Sequence, residues 1–478
     1  MLSRRRTVEW IVTGLLGGLL LAGGFTAAVF QQPLLAAAGL TRDGAPDTLD
    51  PELLAAATTP PPTAPAVDGT GLVGAAEPAV PGAPVTRAQL EARLDALDTS
   101  LLVPAEGGAT TIAYEVVDVT TGEIVASRGA ATPLIPASNT KTLTALAVMN
   151  AFEGTETFAT TVVEPSPGTI VLVGGGDPLL LSVPAAAGAY PQPASTQELA
   201  RAVAEKLRAA GTTTVTLGYN ADHFAEPGWN DTWPATYRDQ VTQLSALWVD
   251  EGKLPAGGRS RTPALDAART FAEQLTAEGI AVAGAPAPAA AEGTELARVE
   301  SLPVHVLVEQ AMNRSNNSFT EILGLQLARQ VGQPSTFAGA VAAIEGQLTG
   351  LGVWDEGTVL HDSSGLSRSN RITTHMLARA ILLLDSEPRL SVILDGLPTA
   401  GVAGTLSERF FDDTSAPARG VARAKTGTLS LVSTLAGTTV TADGRLMAFA
   451  FMINGAPNGW AAKLWADQAT GVVAGCGC

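Results

Sequence analysis

Cysteine and histidine are scarce in this chain of 478 residues. The two cysteines, Cys476 and Cys478, both fall in the last three residues, so the sequence predicts no disulfide framework that braces the fold. The four histidines show no spacing that is typical of metal ligands. These two shortages argue against a zinc peptidase and against a small disulfide-stabilised scaffold.

Basic residues are also few. Lys and Arg together number 29 against 46 Asp and Glu, and the formal net charge of −17 argues against nucleic acid or anionic lipid as a partner. Only five residues are lysines, so arginine is the usual cation of this chain. Two of the five, Lys141 and Lys425, lie in short motifs. Arginine stays protonated in proteins, whereas a buried lysine can lose its proton. Lysine at these two positions therefore indicates a catalytic site rather than generic positive charge.

The first motif is Ser138-x-x-Lys141, within residues 134–148. Pro136 precedes it and an apolar pattern of helical period follows, which predicts Ser138 at the start of a helix with Lys141 one turn later. An amine kept neutral by burial can take the proton of a serine, and a helix start offers N–H groups to an oxyanion. The alternative is a serine N-cap and a surface lysine, because this motif also arises by chance.

Two further motifs follow in order. Ser315-Asn316-Asn317 is predicted to open a second helix, since apolar residues on one face come directly after it. Lys425-Thr426-Gly427-Thr428 precedes an alternating run and is predicted to be an edge strand. Together with Ser138-x-x-Lys141, these form the motif set of penicillin-binding proteins and class A β-lactamases.

Four more stretches, at residues 172–178, 362–368, 397–401 and 404–406, narrow the resemblance. With them, residues 86–460 of the chain resemble the low-molecular-mass class C penicillin-binding proteins, the D-alanyl-D-alanine carboxypeptidase/endopeptidases. That family usually has glycine where this chain has Ser363, a difference that we do not expect to affect the chemistry.

The N-terminal segment predicts export. Arginines at positions 4–6 precede a mainly apolar run over residues 11–30, which is long enough to span a bilayer. Residues 1–40 are therefore a membrane anchor or a signal peptide cleaved near residues 36–38, and both place the rest on the cell-wall side of the membrane. Residues 41–86 are rich in Pro, Ala, Gly and Thr and are predicted to be a disordered spacer.

The resemblance implies an α+β fold, a serine β-lactamase/transpeptidase-like domain in which helices pack on an antiparallel sheet. Hairpins predicted at 111–127 and 430–454 and a closing helix at 460–472 would build that sheet from both ends of the domain, with the Ser138 helix against it. The catalytic domain would comprise residues 87–157 and 298–478. An inserted α+β domain is predicted at 158–297, in which Asp177 and Trp229 are expected to serve a turn and packing rather than catalysis.

The catalytic roles are implied by the resemblance. The substrate would be the D-alanyl-D-alanine end of a peptidoglycan stem peptide, or a cross-link that ends in D-alanine. Ser138 would attack the carbonyl of the penultimate D-alanine and form an acyl-enzyme, with Lys141 as the base. Ser315 would relay the proton to the leaving amine, and backbone N–H groups of Ser138 and Thr428 would form the oxyanion hole.

The substrate-binding roles are implied in the same way. Asn317 would hold the peptide amide and orient Lys141, while Lys425 and Thr426 would meet the terminal carboxylate. Gly427 would let the substrate lie close to the strand. Because Lys425 would serve only as a cation, an arginine there is expected to retain measurable activity. β-Lactams would bind as substrate mimics, and no metal or organic cofactor is needed.

Two other functions share parts of this pattern. A serine β-lactamase has the three motifs, but the long insert with its Gly-Gly-Gly-Asp-Pro turn favours the carboxypeptidase. A non-catalytic wall-binding scaffold could keep the fold, yet its motifs would be expected to degenerate, and here all three are intact. The sequence does not distinguish carboxypeptidase from endopeptidase, because both cut after the same D-alanine.

Overall fold

The computed structural model describes residues 86–104, 108–225 and 228–477. The predicted anchor or signal peptide and all but the last residue of the predicted spacer lie outside these ranges. Among the described residues, no helix combines the length and the apolar character that crossing a membrane requires.

The described chain contains both helices and strands, and five consecutive helices separate β8 from β9. The helices are α1 (Arg87–Asp95), α2 (Thr140–Ala151), α3 (Thr196–Ala209), α4 (Pro263–Ala277), α5 (Val304–Arg314), α6 (Asn317–Gln330), α7 (Phe337–Gly350), α8 (Thr374–Ser386), α9 (Ser391–Asp395) and α10 (Gly459–Ala474). The strands are β1 (Thr111–Asp118), β2 (Ile124–Arg128), β3 (Ala159–Ser166), β4 (Thr169–Val173), β5 (Thr214–Asn220), β6 (Ala281–Val282), β7 (Ala287–Pro288), β8 (Thr294–Glu300), β9 (Arg423–Leu429), β10 (Val432–Val440) and β11 (Leu446–Asn454).

Both predicted hairpins belong to one five-stranded sheet of order β2-β1-β11-β10-β9. All four pairings are antiparallel, and β1 pairs with β11 so that Thr111 lies opposite Asn454. Strands from the two ends of the domain are therefore neighbours. The predicted α+β architecture is confirmed, and β9 is the edge strand that the sequence indicated.

The two faces of this sheet pack into two different cores. Along β11, Ala448, Ala450 and Met452 belong to one core, whereas Phe449 and Phe451 belong to the other. This alternation follows from the two-residue period of a strand. Helix α8 lies across the first face, and α10 covers the second. The first core extends from α8 to the helices that carry the motifs.

Helix α2 lies at the centre of the helical layer. It packs against α5, α6, α7 and α8, and every side chain from Thr140 to Met149 is buried. A helix that is enclosed on all sides holds the residues before it in a fixed position. The sequence predicted this helix directly against the sheet, but α8 occupies that place. The turn just before α2 makes the contact with β9 and β10 instead.

A second sheet has the strand order β6-β5-β4-β3-β8, and β7 also pairs with β5. Amphipathic helices α3 and α4 cover it with Leu199, Val203, Phe271 and Leu275. Its last strand ends at Glu300, three residues beyond the predicted boundary at 297. A separate α+β layer inside the predicted insert is therefore present.

The middle of the predicted insert does not belong to this second layer. Between β5 and α4, the side chains of Phe224, Trp233, Val241 and Trp248 lie in the core that surrounds α2. The Nε1 of Trp229 donates to the carbonyl of Trp233 at 3.0 Å, and the two rings pack edge to face, as expected for a packing aromatic. Part of the insert is thus a wall of the catalytic unit.

Asp177 closes the glycine-rich turn after β4. Its carboxylate accepts a hydrogen bond from the backbone N–H of Leu179 at 2.8 Å, and its carbonyl accepts one from Trp248 Nε1 at 3.1 Å. The side chain is buried, and this burial raises the pKa of Asp177 to about 7. These contacts agree with a structural role at the turn.

The raised pKa of Asp177 leads to a prediction for stability. Its folded pKa of about 7 exceeds the usual aspartate pKa of 3.8, so the folded state binds more protons between these values. The free energy of unfolding should therefore fall as pH rises from about 4 to 7. Asp177→Asn cannot ionise, and relative to the wild type it should gain about 1–3 kcal/mol over this interval. Urea unfolding at pH 4.5 and 7.5 measures the difference.

The control is Asp413→Asn, which replaces an exposed carboxylate and should follow the wild type at both pH values. An Asp177→Asn variant that loses as much stability as the wild type between the two pH values would show that Asp177 ionises normally in the fold.

Candidate active site

Ser138 lies in a single 3₁₀ turn, Ala137–Asn139, immediately before α2. The helix itself begins at Thr140, so the predicted helix start is shifted by two residues. Ala137 has a φ of 47°, in the left-handed region that non-glycine residues seldom adopt. Its carbonyl accepts the hydroxyl of Thr140 at 3.0 Å. The chain therefore turns sharply at Ser138 and presents its side chain at the end of a rigid helix.

Strands β10 and β11 hold this turn in place. Asn139 Nδ2 donates to Thr434 Oγ1 at 2.7 Å, and Thr434 Oγ1 donates to the Pro136 carbonyl at 2.8 Å. Just upstream, the backbone N–H of Ile135 donates to Asn454 Oδ1 at 2.9 Å. The position of Ser138 is thus fixed by the sheet as well as by α2.

Lys141 is the second residue of α2 and is fully buried one turn after Ser138. Its Nζ donates to Ser138 Oγ at 3.1 Å, to Asn317 Oδ1 at 2.7 Å and to the Ser364 carbonyl at 2.6 Å. Burial lowers the pKa of Lys141 to about 8, although the charges of Asp362 and Glu321 act in the opposite direction. An amine with this pKa, within hydrogen-bond distance of a hydroxyl, can act as its base near neutral pH.

Ser315 forms the joint between α5 and α6. It has a left-handed conformation with φ 49° and ψ 37°, and α6 begins only at Asn317. The N-cap of α6 is Asn316, whose side chain accepts from the N–H of Phe319 at 3.1 Å. The prediction that Ser315 opens a helix is therefore inexact. Ser315 ends one helix, and the kink brings both Ser315 and Asn317 to the same cavity.

Lys425 lies on β9 opposite Ala436, on the face of the sheet that meets the Ser138 turn. The side chain is fully buried, and its Nζ donates to Ser315 Oγ at 2.6 Å and to the Thr426 carbonyl at 2.9 Å. Burial, and secondarily the charge of Lys141, hold the pKa of Lys425 well below its usual value. The buried amine of Lys425, in the third motif, is thus hydrogen-bonded to Ser315 of the second motif.

Gly427 lies opposite Thr434 on β10, beside the Ser138 turn. A Cβ atom at position 427 would lie 2.1 Å from Thr434 Oγ1, 2.8 Å from the Pro136 carbonyl and 3.1 Å from the Ser138 backbone nitrogen. The space that the glycine leaves is therefore filled by the protein itself. From the sequence, we expected Gly427 to let a substrate lie close to β9. In the structure, it is the turn carrying Ser138 that lies close to Gly427.

The motifs meet at a cavity of about 490 Å³. Of the predicted site residues, five line it and three lie behind its wall. The five are Ser138, Ser315, Asn317, Thr426 and Thr428, and the three are Lys141, Lys425 and Gly427. The structure thus brings together all eight predicted residues, with the hydroxyls and the amide exposed to the cavity and both amines beneath it.

One wall of the cavity comes from the predicted insert and was not found by sequence reasoning. Tyr237, Asp239 and Gln240 line it on a short segment between β5 and α4. The Gln240 carbonyl accepts from Asn317 Nδ2 at 3.0 Å, so the wall is fixed to the second motif. This segment has no motif and no periodic pattern that could have identified it.

Two buried carboxylates lie beneath Lys141, and sequence reasoning gave neither of them a role. Glu321 accepts from the N–H groups of Ser363 at 3.1 Å and Ser364 at 2.8 Å. Burial, together with the nearby charge of Asp362, raises the pKa of Glu321 to about 8. Glu321 therefore holds Ser364, the residue whose carbonyl accepts from Lys141. Its place four residues after Asn317, as the one acidic residue of α6, was the available signal.

Asp362 is the centre of the loop that follows. One carboxylate oxygen accepts from the N–H of Gly365 at 2.9 Å and from Asn370 Nδ2 at 2.7 Å. The other accepts from the N–H of Ser367 at 2.6 Å and from Trp233 Nε1 at 2.7 Å. Four donors on one buried carboxylate hold the loop against the Ser138 turn.

The side chain of Ser363, where the family usually has glycine, is buried against α6. Its Oγ lies 2.0 Å from the point where a Cβ at Gly324 would be, and it does not line the cavity. The hydroxyl is thus accommodated by a glycine on the facing helix. This placement agrees with the expectation that the substitution leaves the chemistry unchanged.

We expect Asp362→Asn to lower the free energy of unfolding by about 2–4 kcal/mol, because its amide would present hydrogens to buried donors that now share a carboxylate oxygen. Urea unfolding at pH 7 measures the change. The matched control is Asp385→Asn, which alters an exposed carboxylate on α8 and should change stability by less than about 0.5 kcal/mol. Equal stability of the two variants would contradict the role of Asp362 as the centre of the loop.

Comparison with known proteins agrees with this geometry. The sequence matches the D-Ala-D-Ala carboxypeptidase 3 (S13) family over residues 94–257 and 239–474. It is 35% identical to Carboxypeptidase Rv3627c of Mycobacterium tuberculosis over 384 residues, which cover 76% of this chain and 82% of that protein. It is 34% identical to Carboxypeptidase DacB of Mycolicibacterium smegmatis over 77% of this chain and 81% of that protein.

The fold is similar to the crystal structure of penicillin binding protein 4 (dacB) from Haemophilus influenzae. The TM-score is 0.64 over 81% of this chain and 98% of that one, at 18% sequence identity. At that identity the likeness supports the fold alone. The sequence matches show the family and the enzyme class. They confirm the predictions of a D-alanyl-D-alanine carboxypeptidase family and of a serine-type carboxypeptidase. The chain belongs to the D-Ala-D-Ala carboxypeptidase 3 (S13) family of serine-type carboxypeptidases.

Proposed function

We propose that this chain hydrolyses the D-alanyl-D-alanine end of peptidoglycan stem peptides on the cell-wall side of the membrane, with Ser138 as the nucleophile. The observation that carries the proposal is the 3.1 Å hydrogen bond between Lys141 Nζ and Ser138 Oγ. It joins a hydroxyl that lines the cavity to an amine whose pKa burial lowers to about 8.

Acylation would begin when neutral Lys141 takes the proton of Ser138. The Ser138 oxygen then attacks the carbonyl of the penultimate D-alanine, and the carbonyl oxygen becomes an oxyanion. Backbone N–H groups of Ser138 and Thr428 would receive it, and the position of β9 at the edge of the five-stranded sheet supports this role for Thr428. Each such donor contributes a factor of about 10²–10³ to the rate in other acyl-transfer enzymes.

The leaving amine needs a proton as the carbon–nitrogen bond breaks. Ser315 Oγ accepts from Lys425, so its own hydrogen is available for the amine in the cavity. Thr426 and Thr428 offer hydroxyls to the terminal carboxylate, and the buried Lys425 supports it by charge from behind the wall. We therefore assign Lys425 chiefly to Ser315 rather than to direct contact with the carboxylate.

Asn317 would hold the acyl half of the substrate. Its Oδ1 accepts from Lys141 and one hydrogen of its Nδ2 goes to the Gln240 carbonyl, which leaves the second hydrogen for a peptide carbonyl. After the amine departs, water attacks the ester carbonyl and Ser138 recovers its proton. A β-lactam would enter by the same attack, and its acyl group would remain on Ser138.

The proposal predicts that Ser138→Ala abolishes labelling by a fluorescent penicillin and release of D-alanine from an acyl-D-Ala-D-Ala peptide. The control is Ser100→Ala, which alters an exposed serine outside the cavity and should leave both activities unchanged. Labelling of Ser138→Ala at the wild-type level would contradict the assignment of Ser138 as the nucleophile.

The lifetime of the penicillin acyl-enzyme distinguishes two functions in the wild type. An acyl-enzyme that lasts minutes or longer supports a carboxypeptidase, whereas turnover within seconds would indicate a β-lactamase.

A further inference from the structure

Ser315 has an unusual backbone conformation in the middle of the second motif. Its φ of 49° and ψ of 37° lie in the left-handed region, which residues other than glycine seldom adopt. This conformation separates α5 from α6, and it leaves the Ser315 hydroxyl at the cavity and within reach of Lys425. A left-handed serine persists only where the surrounding structure holds it. The contacts on both sides of Ser315 therefore determine where its hydroxyl lies.

Glu251, in the predicted insert, contacts both neighbours of Ser315. One of its carboxylate oxygens accepts from the guanidinium of Arg314, and the other accepts from Asn316 Nδ2. The same Asn316 side chain caps α6 through its Oδ1, so the contact reaches the start of that helix. Hydrogen bonds to an ionised acceptor are stronger than neutral ones. A single carboxylate thus holds the last residue of α5 and the N-cap of α6.

The Glu251 carboxylate is itself held in place. Its side chain is only 7% exposed, and Lys253 contacts it at 3.2 Å. The Glu251 carbonyl accepts from Thr242 Oγ1 at 2.7 Å, and the backbone N–H of Thr242 donates to Ser318 Oγ on α6 at 2.9 Å. The segment that carries Glu251 is therefore joined to α6 by two independent routes.

The turn that carries Glu251 is also left-handed. Asp250, Glu251 and Gly252 have φ values of 53°, 57° and 64° in succession, and only the last is a glycine. Asp250 stabilises this turn, because its N–H donates to the Leu180 carbonyl at 2.9 Å and its Oδ1 accepts from the N–H of Ser182 at 3.0 Å. Strained residues concentrate at functional sites, and this strained turn lies against the strained serine of the second motif.

We propose that Glu251 is a positioning residue that holds Ser315 in the conformation in which it protonates the leaving amine. The inference rests on the proposed function, in which Ser315 gives its hydrogen to that amine. Glu251 does not line the active-site cavity, so it acts through Arg314 and Asn316 rather than on the substrate. No chemical step is added. Without this carboxylate the two neighbours of Ser315 lose their common partner, and the hydroxyl would no longer be held toward the amine.

This role has a consequence that a general loss of stability lacks. An amide nitrogen must be protonated as its bond to carbon breaks, whereas a thiolate is a stable anion that leaves without a proton. A displaced Ser315 should therefore slow acylation by an amide far more than acylation by a thioester with the same acyl group.

The test compares acyl-D-Ala-D-Ala with the acyl-D-Ala thioester of mercaptoacetate, whose leaving group keeps a terminal carboxylate. The measured quantity is the ratio of kcat/KM for the amide to kcat/KM for the thioester. Ser315→Ala is the reference for loss of the acid and should lower this ratio about 10²-fold. Glu251→Ala should lower it at least about tenfold, because misplacement of a catalytic group by about 1 Å can cost 10²-fold.

The double variant Glu251→Ala/Ser315→Ala provides the sharpest comparison. Its ratio should equal that of Ser315→Ala alone, because Glu251 then has no proton donor to position. A glutamate that only stabilises the fold would instead slow both substrates alike, and its effect would add to that of Ser315→Ala.

The matched control is Glu278→Ala, which removes a glutamate that pairs with Arg201 at 3.6 Å elsewhere in the insert and should keep the wild-type ratio. Arg314→Gln alters the exposed partner of Glu251 and should lower the ratio at least about threefold, so it provides a test even where Glu251→Ala fails to fold. A thermal melt identifies the folded variants. A wild-type ratio in folded Glu251→Ala or Arg314→Gln, or an equal loss on both substrates, would overturn the assignment.

Failure of the proposed function has a different result. In that case the wild type would neither be labelled by penicillin at Ser138 nor hydrolyse either substrate. If Ser315→Ala kept the wild-type ratio, Ser315 would not be the acid, and its positioning by Glu251 would fall with it. A Ser315→Ala variant that lowers the ratio, beside a folded Glu251→Ala that does not, would overturn only the role of Glu251.

Discussion

Replacement of Lys141 by arginine should slow acylation of Ser138 by a factor of about 10²–10⁴, the range for loss of a general base. The guanidinium keeps the positive charge but cannot give up its proton at accessible pH. Stopped-flow acylation with a chromogenic penicillin measures the rate, and a thermal melt tests folding. Since Lys141 is fully buried, the uncharged Lys141→Met serves as a second variant that adds no bulk and should be equally slow.

The pH dependence of the wild type provides a separate check on this base. Burial lowers the pKa of Lys141 to about 8, and the reactive form is the neutral amine. The acylation rate should therefore rise with pH and level off above about 8. The carboxyl groups of Asp362 and Glu321 face this amine and oppose the effect of burial on its pKa. A rate that stays constant from pH 6 to 9 would contradict the assignment.

Lys206→Arg is the matched control, because it makes the same exchange at an exposed helix position. Its acylation rate should equal that of the wild type. If Lys141→Arg were acylated as fast as Lys206→Arg, Lys141 would not be the base.

The expectation for Lys425 changes once its surroundings are known. The sequence indicated a cation that contacts a carboxylate, a role that arginine can fill. In the structure its amine is enclosed and donates to Ser315 and to the Thr426 carbonyl. A guanidinium has no room there and would displace Ser315, so Lys425→Arg should lose most activity. Burial of this kind depends on tertiary packing, which a short motif does not specify.

The parts of the site that the sequence predicted are those encoded by local spacing. Ser138 and Lys141 are three residues apart, and Lys425 to Thr428 are consecutive in one strand. The two hairpins were also predictable, because alternation and turn residues are local signals. Assembly of these pieces into one sheet followed from the family resemblance.

The parts that were not predicted are made by contacts distant in sequence. Glu251 reaches Arg314 and Asn316 on both sides of Ser315, and no motif marks Glu251 in the sequence. Trp233 reaches Asp362, and Gln240 reaches Asn317. Each partner alone looks like an ordinary polar or aromatic residue of the insert. Only the fold shows that this segment of the insert forms a wall of the active site.

Gly427→Ala should disable the enzyme although it adds only one methyl group and removes no reactive side chain. The new Cβ would lie 2.1 Å from Thr434 Oγ1, closer than real Cβ atoms approach another atom, and 3.1 Å from the Ser138 backbone nitrogen, a tight contact. Either β9 or the Ser138 turn must move. Thr434 is held by Asn139 and Pro136, so the displacement would spread to the turn itself.

Two readouts follow from that displacement. Overpacking of a buried site costs about 1–3 kcal/mol, which urea unfolding would show as reduced stability. Misplacing one oxyanion donor costs a factor of about 10²–10³, so acylation by penicillin should slow by at least that much. The matched control is Gly346→Ala on α7, where no atom lies within 4 Å of the added carbon and helix propensity favours alanine.

The outcome also separates two explanations for this glycine. If Gly427 served only to let a long peptide lie against β9, the alanine variant would hydrolyse peptides slowly but keep its stability and its acylation by a small penicillin. If it serves to seat the Ser138 turn, all three properties should decline together, because the clash exists before any ligand arrives. The contacts at Thr434, Pro136 and Ser138 favour the second result. Normal penicillin acylation in a stable Gly427→Ala variant would contradict it.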